Sequence, residues 1–146
     1  MEYIKNPILR GMYPDPSICE ANGKYYLITS TFTYAPGVPI FESTDLENWV
    51  QIGNVLTTGQ QLDLMDLEVS SGIFAATIRF HKDTFYVITT NAGRGGNFYV
   101  TAKNPAGPWS EPVFLEEAPG IDPSLFFDRE ECYYVGQRFK ADAAYY

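Results

Sequence analysis

Two copies of one tripeptide carry most of the chemistry this sequence offers: Asp15-Pro16-Ser17 and Asp122-Pro123-Ser124. In each, a carboxylate is followed by a proline that fixes the direction of the chain and by a serine hydroxyl. A single copy reads as an Asx turn opening a strand. Two carboxylates brought to one place can do more, since paired they suit acid–base work. The question is what could bring together residues more than 100 positions apart.

The answer lies in a repeat. Short strands rich in β-branched and aromatic residues, bounded by turn residues, run along the chain. They are expected at 17–20, 24–31, 39–43 and 49–53, and again at 77–82, 84–90, 97–102 and 109–115. Hairpin turns are expected at Ala21-Asn22-Gly23, His81-Lys82-Asp83 and Asp128-Arg129-Glu130-Glu131. Residues 60–69 are the one stretch with a brief helical pattern. From Asp15, the pair Tyr25-Tyr26 follows at 10 and 11 residues, and from Ala75 the pair Phe85-Tyr86 follows at the same distances. From Asp122, the pair Tyr133-Tyr134 follows at 11 and 12. Asp15 to Trp49 spans 34 residues, as does Ala75 to Trp109.

Four strands in a unit of about 50 residues is the signature of a β-propeller blade. A β-sandwich has short strands too, but it would not repeat the same internal landmarks. The blades are expected near 15–60 and 75–117, with a partial one at 122–146, about two and a half in all. Propellers close radially with about 4 to 8 blades, so the expectation is the N-terminal part of a larger protein. The innermost strands line the axis in one direction. Asp15, Ala75 and Asp122 would therefore meet at one mouth of the central channel.

Composition narrows the partner. The net charge is −8, from 10 Lys+Arg against 18 Asp+Glu, and no basic cluster is present, which excludes a nucleic-acid surface. No run approaches the roughly 20 apolar residues of a membrane span. The N-terminus lacks an apolar signal segment, so a cytoplasmic protein is expected. Cys19 and Cys132 form no metal-binding pair and read as buried small hydrophobes in a reducing compartment. No metal or cofactor is expected. Aromatic residues make up 16% of the chain, which suits strands and also suits stacking on sugar rings. Paired carboxylates with rings nearby suggest acid–base chemistry on a glycoside.

The candidate rings are Phe32, just past the second strand, and Phe74, at the start of the second blade's inner strand. Asn97 could bond a sugar hydroxyl or hold a turn. His81 reads as a solvated turn residue. Glu68 falls in the connection between blades, and Gly93-Arg94-Gly95-Gly96 lacks the spacing and following helix of a phosphate loop.

The run from Asn6-Pro7-Ile8 through Met12-Tyr13-Pro14-Asp15-Pro16-Ser17 resembles the opening of glycoside hydrolase family 43 β-xylosidases. So do Tyr25-Tyr26-Leu27-Ile28, Ser43-Thr44-Asp45-Leu46-Glu47-Asn48-Trp49, Asn104-Pro105-Ala106-Gly107-Pro108-Trp109 and Gly120-Ile121-Asp122-Pro123-Ser124. The resemblance implies a five-bladed propeller and inverting hydrolysis of terminal xylosyl or arabinofuranosyl residues in oligosaccharides. It implies Asp15 as general base and Asp122 as the carboxylate that tunes the acid, and it places Phe32 near the pocket. The family's general-acid Glu would fall beyond residue 146, so the 146 residues alone are expected to be inactive. Where the family has Trp-Ala-Pro, this chain has Phe74-Ala75-Ala76. Phe lacks the indole N–H donor, and a non-catalytic sugar-binding propeller is the alternative that this change leaves open.

Overall fold

A computed structural model describes residues 3–137. Three hairpins organise it. Strand β1 (Ser17–Ala21) turns through Asn22-Gly23 into β2 (Lys24–Ile28). The two turn residues have φ of 54° and 74°, the double positive φ of a tight turn that matches strand twist. Strand β3 (Gly37–Ser43) and β4 (Val50–Leu56) complete an antiparallel sheet in the order β1-β2-β3-β4.

The second sheet repeats the plan. A short β5 (Gly72–Ile73) leads into β6 (Thr77–His81), which turns through Lys82-Asp83 into β7 (Thr84–Ala92). Then follow β8 (Gly96–Ala102) and β9 (Val113–Phe114). Both β5 and β6 pair with β7, at its two ends. A third hairpin, β10 (Ile121–Asp128) with β11 (Glu131–Gln137), begins the next unit. The described residues are all-β: a four-stranded blade, a five-stranded second blade in which β5 and β6 share the inner edge of β7, and the first two strands of a third. Residues 138–146, the end of the expected partial blade, lie outside the described residues.

The hairpins match residue for residue. Asp15, Ala75 and Asp122 each stand six residues before the last residue of an inner strand, namely Ala21, His81 and Asp128. Side-chain bonds then join the inner strands. The Ile78 N–H donates to Ser17 Oγ at 3.1 Å, and Thr77 Oγ1 donates to the Pro123 carbonyl at 2.8 Å. Neighbouring inner strands belong to different sheets, so hydroxyls at the matched positions Ser17 and Thr77 supply the links that backbone pairing does not.

Some expectations need correction. The strand at 109–115 shrinks to Val113–Phe114, because Pro108 and Pro112 have no N–H to donate to a ladder. The strand expected at 24–31 ends at Ile28. The Ser30 N–H turns back to the Pro14 carbonyl at 3.1 Å instead. Residues 60–69 form turns, not a helix. One turn starts, with the Leu62 N–H on the Thr58 carbonyl, but Gln61 Oε1 accepts the N–H groups of Thr57 and Thr58 and Asp66 sits at φ 58°. Cys132 is exposed rather than buried, while Cys19 is half-buried; both are free thiols. Nor is His81 a solvated turn residue: it ends β6 and stacks on Phe127, centroids 4.5 Å apart and planes 5° from parallel.

The core lies between the first two blades. Ile28, Ile40, Ile78 and Val87 are fully buried, and the Tyr26 ring meets Phe85 edge-on at 5.0 Å. Of each repeated aromatic pair, one member turns inward and the other to the opposite face, as strand alternation requires. Tyr26 and Phe85 are core residues, whereas Tyr25 and Tyr86 are half-buried and Tyr133 is 46% exposed.

Between β3 and β4, Asp45 holds the loop: Oδ1 accepts from the Glu47 and Asn48 N–H groups and Oδ2 from the Asn48 side chain. Those bonds favour the ionised form and hold the carboxyl far below its ordinary value of 3.8. Its folded pKa is depressed, so its contribution is complete above that ordinary value and is lost as pH falls through the folded one. Asp45→Ala should lower the melting temperature at neutral pH, and the gap to the unmodified chain should narrow as the pH drops below about 4. Thermal melts at a series of pH values measure this.

Candidate active site

Asp15 and Asp122 share an unusual backbone conformation. Their φ values are 52° and 54°, both in the left-handed region, and each precedes a proline. Asp tolerates this region better than most residues, but it still costs free energy. The surrounding structure must enforce it, and such outliers cluster at functional sites. The same strain at the same blade position in two units makes the tripeptides a matched pair.

Asp15 is oriented by Ser30, whose Oγ donates to Asp15 Oδ2 at 2.5 Å. No sequence motif marks Ser30, yet the β1–β2 register contains it. Ser17 pairs with Ile28 across a two-residue turn, and extending that pairing outward sets Asp15 opposite Ser30.

Two residues beyond Ser30, the chain crosses to the second blade. The Phe32 N–H donates to the Ile73 carbonyl at 2.8 Å, and the Ile73 N–H donates to the Phe32 carbonyl at 2.9 Å. The crossing demands Gly72: at φ 86°, any Cβ there would lie 2.4 Å from the Phe32 carbonyl oxygen. This clamp brings the two candidate rings together, with Phe32 and Phe74 edge-on at 5.8 Å and 70°. Both remain half-buried, so part of each ring is open to a ligand. Phe74 is fixed by its N–H on the Thr90 carbonyl and by Thr89 Oγ1, which donates to the Phe74 carbonyl, each at 3.0 Å. A small cavity of about 220 Å³ opens beside Phe32, bounded by Met12, Tyr34, Val69 and Ser70.

Asp122 stands one inner strand further on and is exposed. The Thr77–Pro123 bond ties the residue after it to the start of β6. The first blade's Asp, the second blade's Phe-Ala-Ala and the third unit's Asp thus begin successive inner strands. A larger cavity, about 490 Å³, lies between the second blade and the third hairpin among His81, Tyr86, Phe127 and Glu130. It shares none of the candidate residues.

The remaining candidates are placed elsewhere. Asn97 is 2% exposed and fully engaged by protein. Its Oδ1 accepts from Thr90 Oγ1 at 2.5 Å, and its Nδ2 donates to the Ala118 carbonyl at 2.6 Å and to the Tyr134 hydroxyl at 2.9 Å. These surroundings make it a strut between the second blade and the third hairpin. Arg94 of the glycine-rich turn grips Asp63 through both carboxylate oxygens, at 2.9 and 3.1 Å, and so pins the connection between blades. Glu68 is exposed in that connection. Among the described residues no group of three His, Cys, Asp or Glu side chains could hold a metal ion.

Comparison with known proteins gives this arrangement a context. The family model for glycosyl hydrolases family 43 matches residues 4–145. A xylosidase/arabinosidase of Butyrivibrio fibrisolvens is 58% identical over 149 residues, covering 100% of this chain and 29% of the relative. A non-reducing end alpha-L-arabinofuranosidase of Bacteroides ovatus is 48% identical, covering 90% of this chain and 26% of its own. Among solved structures, the Bacteroides ovatus xyloglucan PUL GH43B superposes with a TM-score of 0.88 at 47% identity, over 92% of this chain and 27% of that one. The chain thus spans under a third of the length of these relatives, and their common family supplies the propeller to which its blades correspond. With the matched strands, the paired Asp-Pro-Ser sites and the family model in agreement, the chain belongs to glycosyl hydrolases family 43.

Proposed function

We propose that Asp15 is the general base, and Asp122 the acid-tuning carboxylate, of an inverting glycoside hydrolase that releases terminal xylosyl or arabinofuranosyl residues from oligosaccharides. The observation that carries this reading is the matched pair of strained Asp-Pro junctions at the same blade position in two units, and the half-buried Phe32–Phe74 ring pair supports it. The relatives, a xylosidase/arabinosidase and an alpha-L-arabinofuranosidase among them, supply the substrate class.

In this mechanism Ser30 holds Asp15 Oδ2, and the carboxylate so oriented deprotonates the attacking water. Inversion needs base and acid about 6.5–9.5 Å apart, so that water fits on the face opposite the leaving group. The exposed ring faces of Phe32 and Phe74 pack against the sugar's apolar face. Asp122 raises the pKa of the general acid by like-charge proximity. None of the three matched blade positions within residues 1–146 is a Glu, so these residues alone lack the group that protonates the leaving oxygen. The substrate reaches a cytoplasmic enzyme as a short oligosaccharide.

The test compares two polypeptides. One is the 146-residue chain; the other is the same chain followed by the part of the Butyrivibrio fibrisolvens relative beyond the match. Aryl xyloside and arabinofuranoside hydrolysis is expected from the fused enzyme and not from the chain alone. Calorimetric binding of xylose by a folded fused enzyme with no hydrolysis of either substrate would instead identify a non-catalytic sugar-binding propeller.

A further inference from the structure

The two seams flanking β6 differ in kind. Ile78 and its neighbours face the first blade and pack against apolar side chains. Thr77, Arg79 and His81 alternate with them and face the third hairpin, where Thr77 bonds the Pro123 carbonyl and His81 stacks on Phe127. Arg79, between them, makes the most of this seam. Its Nε donates to the Leu125 carbonyl at 3.0 Å, its Nη2 to Ser124 Oγ at 2.9 Å, and its Nη1 to the Ile78 carbonyl at 2.8 Å. One guanidinium thus ties β6 to two consecutive residues of β10, beginning two positions after Asp122.

The charge of Arg79 is not spent on an ion pair. Among the described residues it makes no salt bridge. From β1 the nearby titratable group is Cys19, whose thiol burial pushes up to about 12 despite the opposing pull of Arg79, so it stays neutral. From β10 the facing groups are a carbonyl and a serine hydroxyl, both neutral. A half-buried cation held only by neutral acceptors carries a desolvation cost that no counter-charge offsets. Its rigid fork of donors, which a lysine ammonium does not reproduce, is the feature this site uses.

We propose that Arg79 is a positioning residue for Asp122, locking the Asp-Pro-Ser junction of β10 against β6 so that the Asp122 carboxylate keeps its place at the mouth. The apolar seam of the first blade sets Asp15 without it. The proposal rests on the role given to Asp122 above. It leaves Arg79 out of contact with substrate: the side chain acts through Ser124 and Leu125.

The fused enzyme provides the test, through the pH profile of kcat/KM and the separate values of kcat and KM for Arg79→Ala, Arg79→Lys and Asp122→Asn. A displaced Asp122 no longer raises the pKa of the general acid, so the basic limb of the profile should move to lower pH. Arg79→Ala is expected to lose about 100-fold in kcat, the scale of an ångström's misplacement, with KM changed by less than about threefold. The basic limb should shift in the same direction as in Asp122→Asn. Arg79→Lys, which keeps the charge but not the fork, should fall between Arg79→Ala and the parent and report the same shift should Arg79→Ala fail to fold. If Asp122→Asn shifts the basic limb and neither Arg79 variant does, the positioning role is overturned while the reading of Asp122 stands. If Asp122→Asn itself leaves the limb in place, both fall together.

Discussion

Asp15→Ala in the fused enzyme is expected to reduce kcat by about 10²–10⁴-fold, the usual contribution of a general base. Sugar binding should persist, because the Phe32–Phe74 pair is held by the Ile73 clamp and not by the carboxylate. Calorimetric affinity for xylose measured beside kcat separates the two. The neighbouring change Ser30→Ala should cost less, since it removes one orienting bond and leaves the base in place. The comparison has a clear sense: a base acts on the attacking water, so its loss appears in turnover. An Asp15→Ala enzyme with unchanged kcat would mean that the strained conformation at φ 52° serves the fold alone.

The second large effect concerns stability. Phe85 is 2% exposed and bridges the blades, edge-on to Tyr26 at 5.0 Å and tilted against Phe80 at 4.7 Å. Phe85→Ala removes a buried ring where two sheets meet and neither can close the gap alone. The expected loss is about 3–5 kcal/mol. Against a total stability of about 5–15 kcal/mol this is a large fraction. Urea denaturation of the fused enzyme should show a lower midpoint with little change in slope. The substitution Tyr133→Ala in the third aromatic pair, at a ring already 46% exposed, should cost far less. The contrast separates ring packing at the seam from simple membership of the repeated aromatic pairs.

The parts of the fold that recur are legible in the sequence. Turn chemistry at Asn22-Gly23 and Lys82-Asp83 fixes each hairpin register. The spacing from each Asp or Ala to its turn then fixes which residues begin the inner strands. Asp15, Ala75 and Asp122 followed from that counting. The non-recurring parts were harder to read. Ser30 carries no motif, and its role emerges only when the β1–β2 pairing is carried past the strand ends. The sequence offers Asn97 as a sugar ligand or a turn residue. Its burial depends on the Ala118 and Gly120 carbonyls and on Tyr134, contacts between segments whose proximity no local pattern announces. Trp109 matched Trp49 in spacing, but the prolines around it prevent the strand that its counterpart precedes. Arg79 was silent for a similar reason. A lone arginine on a strand reads as a solvated charge until the neighbouring inner strand is set beside it.

The clamp between Phe32 and Ile73 also explains how Phe74 can stand where the family usually has Trp. The clamp fixes the backbone on both sides of the ring pair, so the replacement acts through the size of the stacking surface and the loss of a donor. Substrate choice, rather than assembly of the site, is where that replacement should be felt.

The most direct test of the central claim is the configuration of the first product, followed by proton NMR during early turnover of an aryl β-xyloside by the fused enzyme. A base that activates water on the face opposite the leaving group gives inversion, so α-xylose should appear first and the β-anomer only later, through mutarotation. Initial release of β-xylose would show retention. It would require a carboxylate acting as nucleophile and contradict the role assigned here to Asp15.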